Sequence, residues 1–229
     1  SVLRGPSERP FGELGSDIPI VVVDRKVRSA KIDAVYVDQE DGARQAVEHL
    51  LDLGHRRIAF LAGPRTIYNS RVRRRGYERA LKDRGIEIPE GMVLTGDFSF
   101  ESGQRAFDRI LAMPARERPS ALFAASDMMA LGFMRSAFRQ EFPIPECISL
   151  VGFDDIFLAS VVNPPLTTVR HPYINMGQVA MRRMVRKLRP ELPMVEEVAL
   201  ENRLVLRETS RSYSGCAIGC DGEAYEGAT

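Results

Sequence analysis

Short runs in which nearly every residue is apolar alternate along this chain with longer stretches in which apolar residues recur every three or four positions. The runs at 18–24 (IPIVVVD), 34–38 (AVYVD), 56–63 (RRIAFLAG), 92–97 (MVLTGD), 120–126 (SALFAAS) and 148–155 (ISLVGFDD) read as strands. The stretches between them read as amphipathic helices: 39–53 with Ala43, Ala46, Val47, Leu50 and Leu51 on one face, 70–84 with Val72, Gly76, Tyr77, Ala80 and Leu81, one opened by Ser99, and one through Ala130, Leu131, Met134 and Phe138. Asp38 and Ser99 are placed to cap helix starts, and Gly54 to end the first helix. Strands apolar on both faces, alternating with helices, predict a parallel sheet covered on both sides. In such a sheet ligands bind beyond the carboxyl ends of the strands. Gly63, Asp97, Ser126 and Asp154 fall at such ends.

Composition narrows the class. The 229 residues allow one large domain or two small ones. Thirty-two basic and 31 acidic side chains give a net charge of +1, without the basic excess of a nucleic-acid-binding domain. No run of about 18 apolar residues is long enough to span a bilayer, and the N-terminal SVLRGPSERP has no apolar signal core. The three cysteines, Cys147, Cys216 and Cys220, form no framework, so a reducing, cytoplasmic environment is expected. The small, polar, aperiodic stretch from about Ser212 onward is expected to be a mobile tail.

The chemistry on offer is limited. There is no G-x-G-x-x-G after a strand, no phosphate-binding P-loop and no G-x-S-x-G elbow. His49, His55 and His171 follow no metal-ligand spacing; the first two read as structural, whereas His171 follows a strand end. No cofactor, no metal and no catalytic residue is expected. Asp154 and Asp155, adjacent at the end of VGFDD, should diverge, which argues against a shared-proton pair. Arg71, Arg73, Arg74, Arg75 and Arg79 crowd one helix start; helix geometry leaves most of them solvated or paired, with one or two facing the crevice.

Several stretches together resemble the lactose-repressor/galactose-repressor family of bacterial transcription regulators: IPIVVVDR (18–25), DGARQAVEHLLDLGHRRIAFLAGP (41–64), SRVRRRGYERAL (70–81), GDFSFESG (96–103), ALFAASDMMALG (121–132), ISLVGFDDI (148–156) and PPLTTVRHPYINMG (164–177). They keep the family's order and spacing over about 190 residues. The resemblance implies a periplasmic-binding-protein-like type I α/β fold, in which two parallel-sheet lobes hold a small effector between them and the chain crosses three times. Residues 1–37 and 171–201 would form an N-terminal lobe, 38–170 and 202–212 a C-terminal lobe, and 213–229 the tail. Family members carry a helix-turn-helix and about two further strand–helix units before the stretch that matches IPIVVVDR. The N-terminal lobe is therefore expected to be incomplete here, and operator DNA to be reached only through that absent domain.

Carried over residue by residue, the resemblance implies effector contacts at Arg73, Phe98, Ser126, Asp154 and His171, Ser126 standing where many relatives have asparagine. It also implies a homodimer through Leu131, Arg135 and Val162, which Leu131→Arg would break. The expected partners are a sugar or sugar derivative, a second copy of the chain and no membrane. The alternative on the same fold is an extracytoplasmic sugar-binding protein of a transport system.

Overall fold

The computed structural model describes residues 18–27, 32–191 and 200–215. Its first elements are β1 (Val21–Val23) and β2 (Asp33–Val35), which pair in parallel as a two-stranded sheet. Then come α1 (Gln39–Asp52), β3 (Ile58–Ala62), α2 (Tyr68–Asp83), β4 (Val93–Thr95), α3 (Phe100–Leu111), a 3₁₀ turn at Ala115–Glu117, β5 (Ala121–Ala124), α4 (Asp127–Arg139) and β6 (Ser149–Asp154). The chain continues through α5 (Phe157–Val161), β7 (Thr167–Arg170), α6 (Tyr173–Leu188) and β8 (Arg203–Val205). The strands β4-β3-β5-β6-β7-β8 form one sheet in that order, parallel except for the final β7–β8 pair.

The central strands explain their own composition. Every residue of β3 and β5 is buried, because helices cover both faces of the sheet and leave no solvent side for a polar alternation. Phe60, Phe123 and Phe153, on three neighbouring strands, are fully buried, and Phe60 stacks on both Phe123 and Tyr77. The predicted caps are present: Asp38 accepts from the Glu40 and Asp41 amides, Ser99 accepts from Ser102, and α1 ends at Leu53 before Gly54, which has φ 92°.

The helices pack in close pairs that glycines make possible. A Cβ at Gly103 of α3 would lie 2.0 Å from the Met129 carbonyl of α4, and one at Gly132 of α4 would lie 1.9 Å from the Phe100 carbonyl of α3. Each helix thus needs the other's missing side chain. A second pair, α1 and α2, closes around Gly76, where a Cβ would meet the Glu40 carbonyl at 2.3 Å.

A separate, smaller apolar cluster joins Val35, Val37, Met176 and Val179, with Val21, Ala180 and Leu200 against it. It packs β1, β2 and α6 into a second unit. The pattern of apolar positions did not delineate β7, α5, α6 or β8. The odd cysteine count suggested reduced thiols, yet Cys147 is disulfide-bonded. Cys216, Cys220, residues 1–17 and residues 216–229 of the expected tail lie outside the described residues.

Candidate functional site

The carboxyl ends of the large sheet and of the small one meet over a set of polar side chains. Residues here hold unusual backbone angles: Asp24 (φ 60°) follows β1, Phe98 (φ 67°) follows β4, and Asp154 (φ 118°) and Asp155 (φ 52°) end β6. Positive φ is uncommon outside glycine and is best tolerated by residues such as Asp and Asn. Three of the four residues are aspartates, so the sequence suits the turn that each strand end makes.

Arg73 and Asp154 form the centre. Arg73 reaches from α2, is 4% exposed, and lies 3.8 Å from the centroid of the Phe153 ring, which fixes the plane of its guanidinium. Its Nε donates to Gln39 Oε1 at 2.8 Å, its Nη1 to the Ala125 carbonyl at 2.6 Å, and its Nη2 lies 3.1 Å from Asp154 Oδ1. The Tyr173 hydroxyl, from the start of α6, donates to the same Asp154 oxygen at 2.8 Å. Burial pushes the Asp154 carboxyl above its ordinary pKa, opposed by the Arg73 charge and the Tyr173 hydrogen bond. Asp155 turns the other way, to Arg170 and Arg207 at 2.6 Å each. Burial alone would raise its pKa, but the two guanidinium groups outweigh it and hold the carboxyl below the usual range. The two acids diverge, as their adjacency predicted.

His171 belongs to an adjoining network where the chain passes between the two units. Its Nδ1 is 2.9 Å from Asn202 Oδ1 and its Nε2 is 3.1 Å from Asp24 Oδ1. Asn202 Nδ2 donates to the Asp38 carbonyl at 2.7 Å, while Gln39 and Asn69 both donate to Asp24 at 2.6 Å. The segments around Asp38, His171 and Asn202 are therefore tied side by side. Gln39 touches both Asp24 and Arg73, and the His171 ring packs edge-on against Tyr173 at 4.3 Å, so the two networks are continuous.

The remaining expected site residues are placed less centrally. Ser126 is buried at the end of β5, and its hydroxyl caps α4 by accepting from Met129 at 3.4 Å. Phe98 stands apart from the polar network. Its ring lies over Gly63, where a Cβ would fall 2.1 Å from Phe98 Cζ. Of the arginine cluster only Arg73 is buried. Arg74 pairs with Glu78, Arg75 with Glu40, Arg79 with Glu40 and Asp83, and Arg71 donates to the carbonyls of Arg65 and Thr66. Arg135 is exposed and Val162 half-buried, whereas Leu131, at 6% exposure, packs within the main core. Leu131→Arg would thus damage folding as well as any contact between chains, because a charge there has no solvent to reach. Around these positions Phe138, Phe157, Leu158 and Val161 are exposed.

Sequence reasoning missed Asp24, Gln39, Asn69, Tyr173, Asn202 and Asp127. Asp24 carried a usable signal, since IPIVVVD ends a strand in an acid just as VGFDD does. Tyr173 and Asn202 carry none, because only the crossing of the chain brings them to the cleft. His49 and His55, read as structural, bond to Ser210 and to Ser120 and the Arg211 carbonyl, and burial lowers the pKa of both. Among the described residues no group of three or more His, Cys, Asp or Glu could hold a metal ion, and no helix is long and apolar enough to cross a membrane.

The strand ends of two α/β units thus converge on one network of charged and polar side chains, the arrangement of a two-lobed binding fold. A family model described as a periplasmic binding protein-like domain matches residues 47–210, and the chain belongs to that family, as the effector-binding core of its lactose-repressor-type members. The ribose operon repressor of Escherichia coli is 34% identical over 191 residues, covering 83% of this chain and 57% of the repressor. A sugar-binding transcriptional regulator of the LacI family from E. coli, solved in complex with phosphate, superposes with a TM-score of 0.79 at 29% identity, covering 89% of this chain and 72% of that one. The regulator CelR, solved with cellobiose, gives 0.77 at 32% identity, covering 91% and 64%. The chain spans about three fifths of the length of the curated relatives it matches. These relatives are transcriptional regulators, which favours that reading over the transport alternative.

Proposed function

We propose that this chain is the effector-sensing and dimerisation core of a cytoplasmic transcriptional repressor, and that it binds a carbohydrate-like molecule between its lobes to control a separate helix-turn-helix. The observation that carries the reading is the Arg73–Asp154 pair at the end of β6, faced by Tyr173 and His171 from the chain beyond the crossing. An ionised carboxylate accepts hydrogen bonds through two oxygens, which suits adjacent sugar hydroxyls, and the guanidinium supplies complementary donors. Both described contacts of Asp154 use Oδ1, so Oδ2 is assigned to a ligand hydroxyl. Phe98 and Ser126 line the approach from β4 and β5. Residues 1–37 with 171–201 are assigned to one lobe and 38–170 with 202–212 to the other. Closure of one on the other transmits binding only as far as the ligand prefers the closed state.

The test is a calorimetric screen of sugars, sugar phosphates and purines, followed by titration of Asp154→Asn, which suits the backbone there and removes the charge, and of Arg73→Ala with whichever compound binds. Charge-assisted hydrogen bonds contribute on the order of 1.5–3 kcal/mol. Each substitution is therefore expected to weaken binding at least ~10-fold. Unchanged affinity in both variants would refute the assignment.

A further inference from the structure

We propose that Asp127 is a positioning residue: its carboxyl group anchors the Asp154–Ile156 turn to the start of α4 and so sets the orientation of Asp154 toward Arg73 and Tyr173. The importance of that orientation rests on the effector reading above; the anchoring rests on geometry alone. Asp127 is the first residue of α4 and is fully buried, yet its described hydrogen bonds are both to neutral groups. Oδ2 accepts from the Ile156 amide at 2.9 Å, and Oδ1 accepts from the Thr168 hydroxyl of β7 at 2.5 Å. Ile156 follows two residues with positive φ and is the N-cap of α5, so its amide has left the strand ladder and has no helical acceptor. Asp127 supplies one. The neighbouring strand makes room for it, because a Cβ at Gly152 of β6 would lie 2.2 Å from Asp127 Oδ1. Four elements, α4, β6, α5 and β7, thus converge on one carboxyl group. A buried acid without a cation is costly. Burial pushes its pKa up to about 7, helped by the charges of Asp154 and Asp155 and opposed by its two hydrogen bonds. An apolar residue would fill the same space without that cost, but it would leave the turn unanchored.

The readout is Tyr173, whose hydroxyl touches Asp154 and not Asp127. Burial, and next the Asp154 charge, hold its phenol above the ordinary tyrosine pKa. About half of Tyr173 is exposed, so the Asp154 contact is the part that a displaced turn would remove. Protein labelled with ¹³C at tyrosine Cζ, with Tyr173 assigned by Tyr173→Phe, is compared at neutral pH and at about pH 10.5, where an ordinary phenol is largely ionised. In the parent chain and in Asp127→Asn, which keeps an oxygen acceptor for Ile156, Tyr173 stays un-ionised at the higher pH. In Asp127→Ala the neutral-pH Cζ resonance of Tyr173 moves, and a larger fraction of Tyr173 ionises at the higher pH than in the parent. If Asp127→Ala fails to fold, Asp127→Leu, which fills the same space and removes the acceptor for the Ile156 amide, is read in the same way. A Tyr173 signal that matches the parent at both pH values in the folded variant overturns the proposal. No ligand is used, so this result is independent of whether the cleft binds a sugar.

Discussion

Asp127 and Asp154 lie close in space and are held by opposite means. Asp154 has a cation at 3.1 Å; Asp127 is bonded to a hydroxyl and an amide. That contrast gives a pH dependence with a definite sign. Because the folded pKa of Asp127 is raised to about 7, the native state holds a proton that the unfolded chain releases near pH 4. The native state binds more protons in this window, so its contribution to stability is lost as pH rises, by up to about 1.4 kcal/mol per pH unit, and levels off above about 7. Asp127→Asn does not titrate. Its stability relative to the parent is expected to be greater at pH 8 than at pH 5, as measured by urea denaturation at both. A stability difference that is the same at the two pH values would contradict a raised Asp127.

At the scale of elements, the sequence was readable wherever one local rule governs a residue. Asp38, Ser99 and Gly54 mark their helix ends because capping needs only neighbours in the chain. The strands β3, β5 and β6 stand out because burial on both faces leaves an uninterrupted apolar run. The strand β8 does not, being three residues long, half-exposed and held at the sheet edge only by antiparallel pairing with β7. Likewise Arg73 and Asp154 could be picked out by motif, whereas Asn202 is defined by partners more than 150 residues away in Asp38 and 31 away in His171. The glycine pair between α3 and α4 yields an element-scale prediction. Gly132→Ala inserts a methyl group 1.9 Å from the Phe100 carbonyl, which belongs to backbone that cannot rotate aside. Overpacking of this kind costs roughly 1–3 kcal/mol. Gly177→Ala, where nothing lies within 4 Å in the middle of α6, is the control and is expected to be neutral or slightly stabilising. Equal melting temperatures for the two variants would show that the helix pair can spread at no cost.

At the scale of the whole molecule, Phe157 is 78% exposed and Phe138 75%, with Leu158 and Val161 beside Phe157 on the short helix α5. Phe157 and Val161, one helical turn apart on α5, form an exposed apolar face of the kind that marks interaction surfaces. In the dimer proposed above, this face would make the two-fold contact between chains. A two-fold contact repeats each substitution on both sides, so Phe157→Asp places two new charges in one interface. It is expected to shift the chain from dimer to monomer at tens of micromolar in sedimentation equilibrium without lowering the melting temperature of the separated subunit. An unchanged sedimentation profile would exclude Phe157 from the contact. Unlike Leu131, which is inside the core, Phe157 separates assembly from folding.

The left-handed backbone at Asp154 also limits how this cleft can be re-engineered. A position at φ 118° admits glycine most readily, Asn and Asp at some cost, and β-branched or bulky residues only by distorting the turn. A mutant library randomised over all twenty side chains at 154 would therefore consist mostly of members whose loop has moved, and loss of binding in them would say nothing about ligand preference. Selection for a new ligand has three practical letters there, Asp, Asn and Gly, and the same short alphabet at Asp24. Chemical diversity is better introduced where the backbone sets no such limit, at Tyr173, which is half-exposed in the first turn of α6.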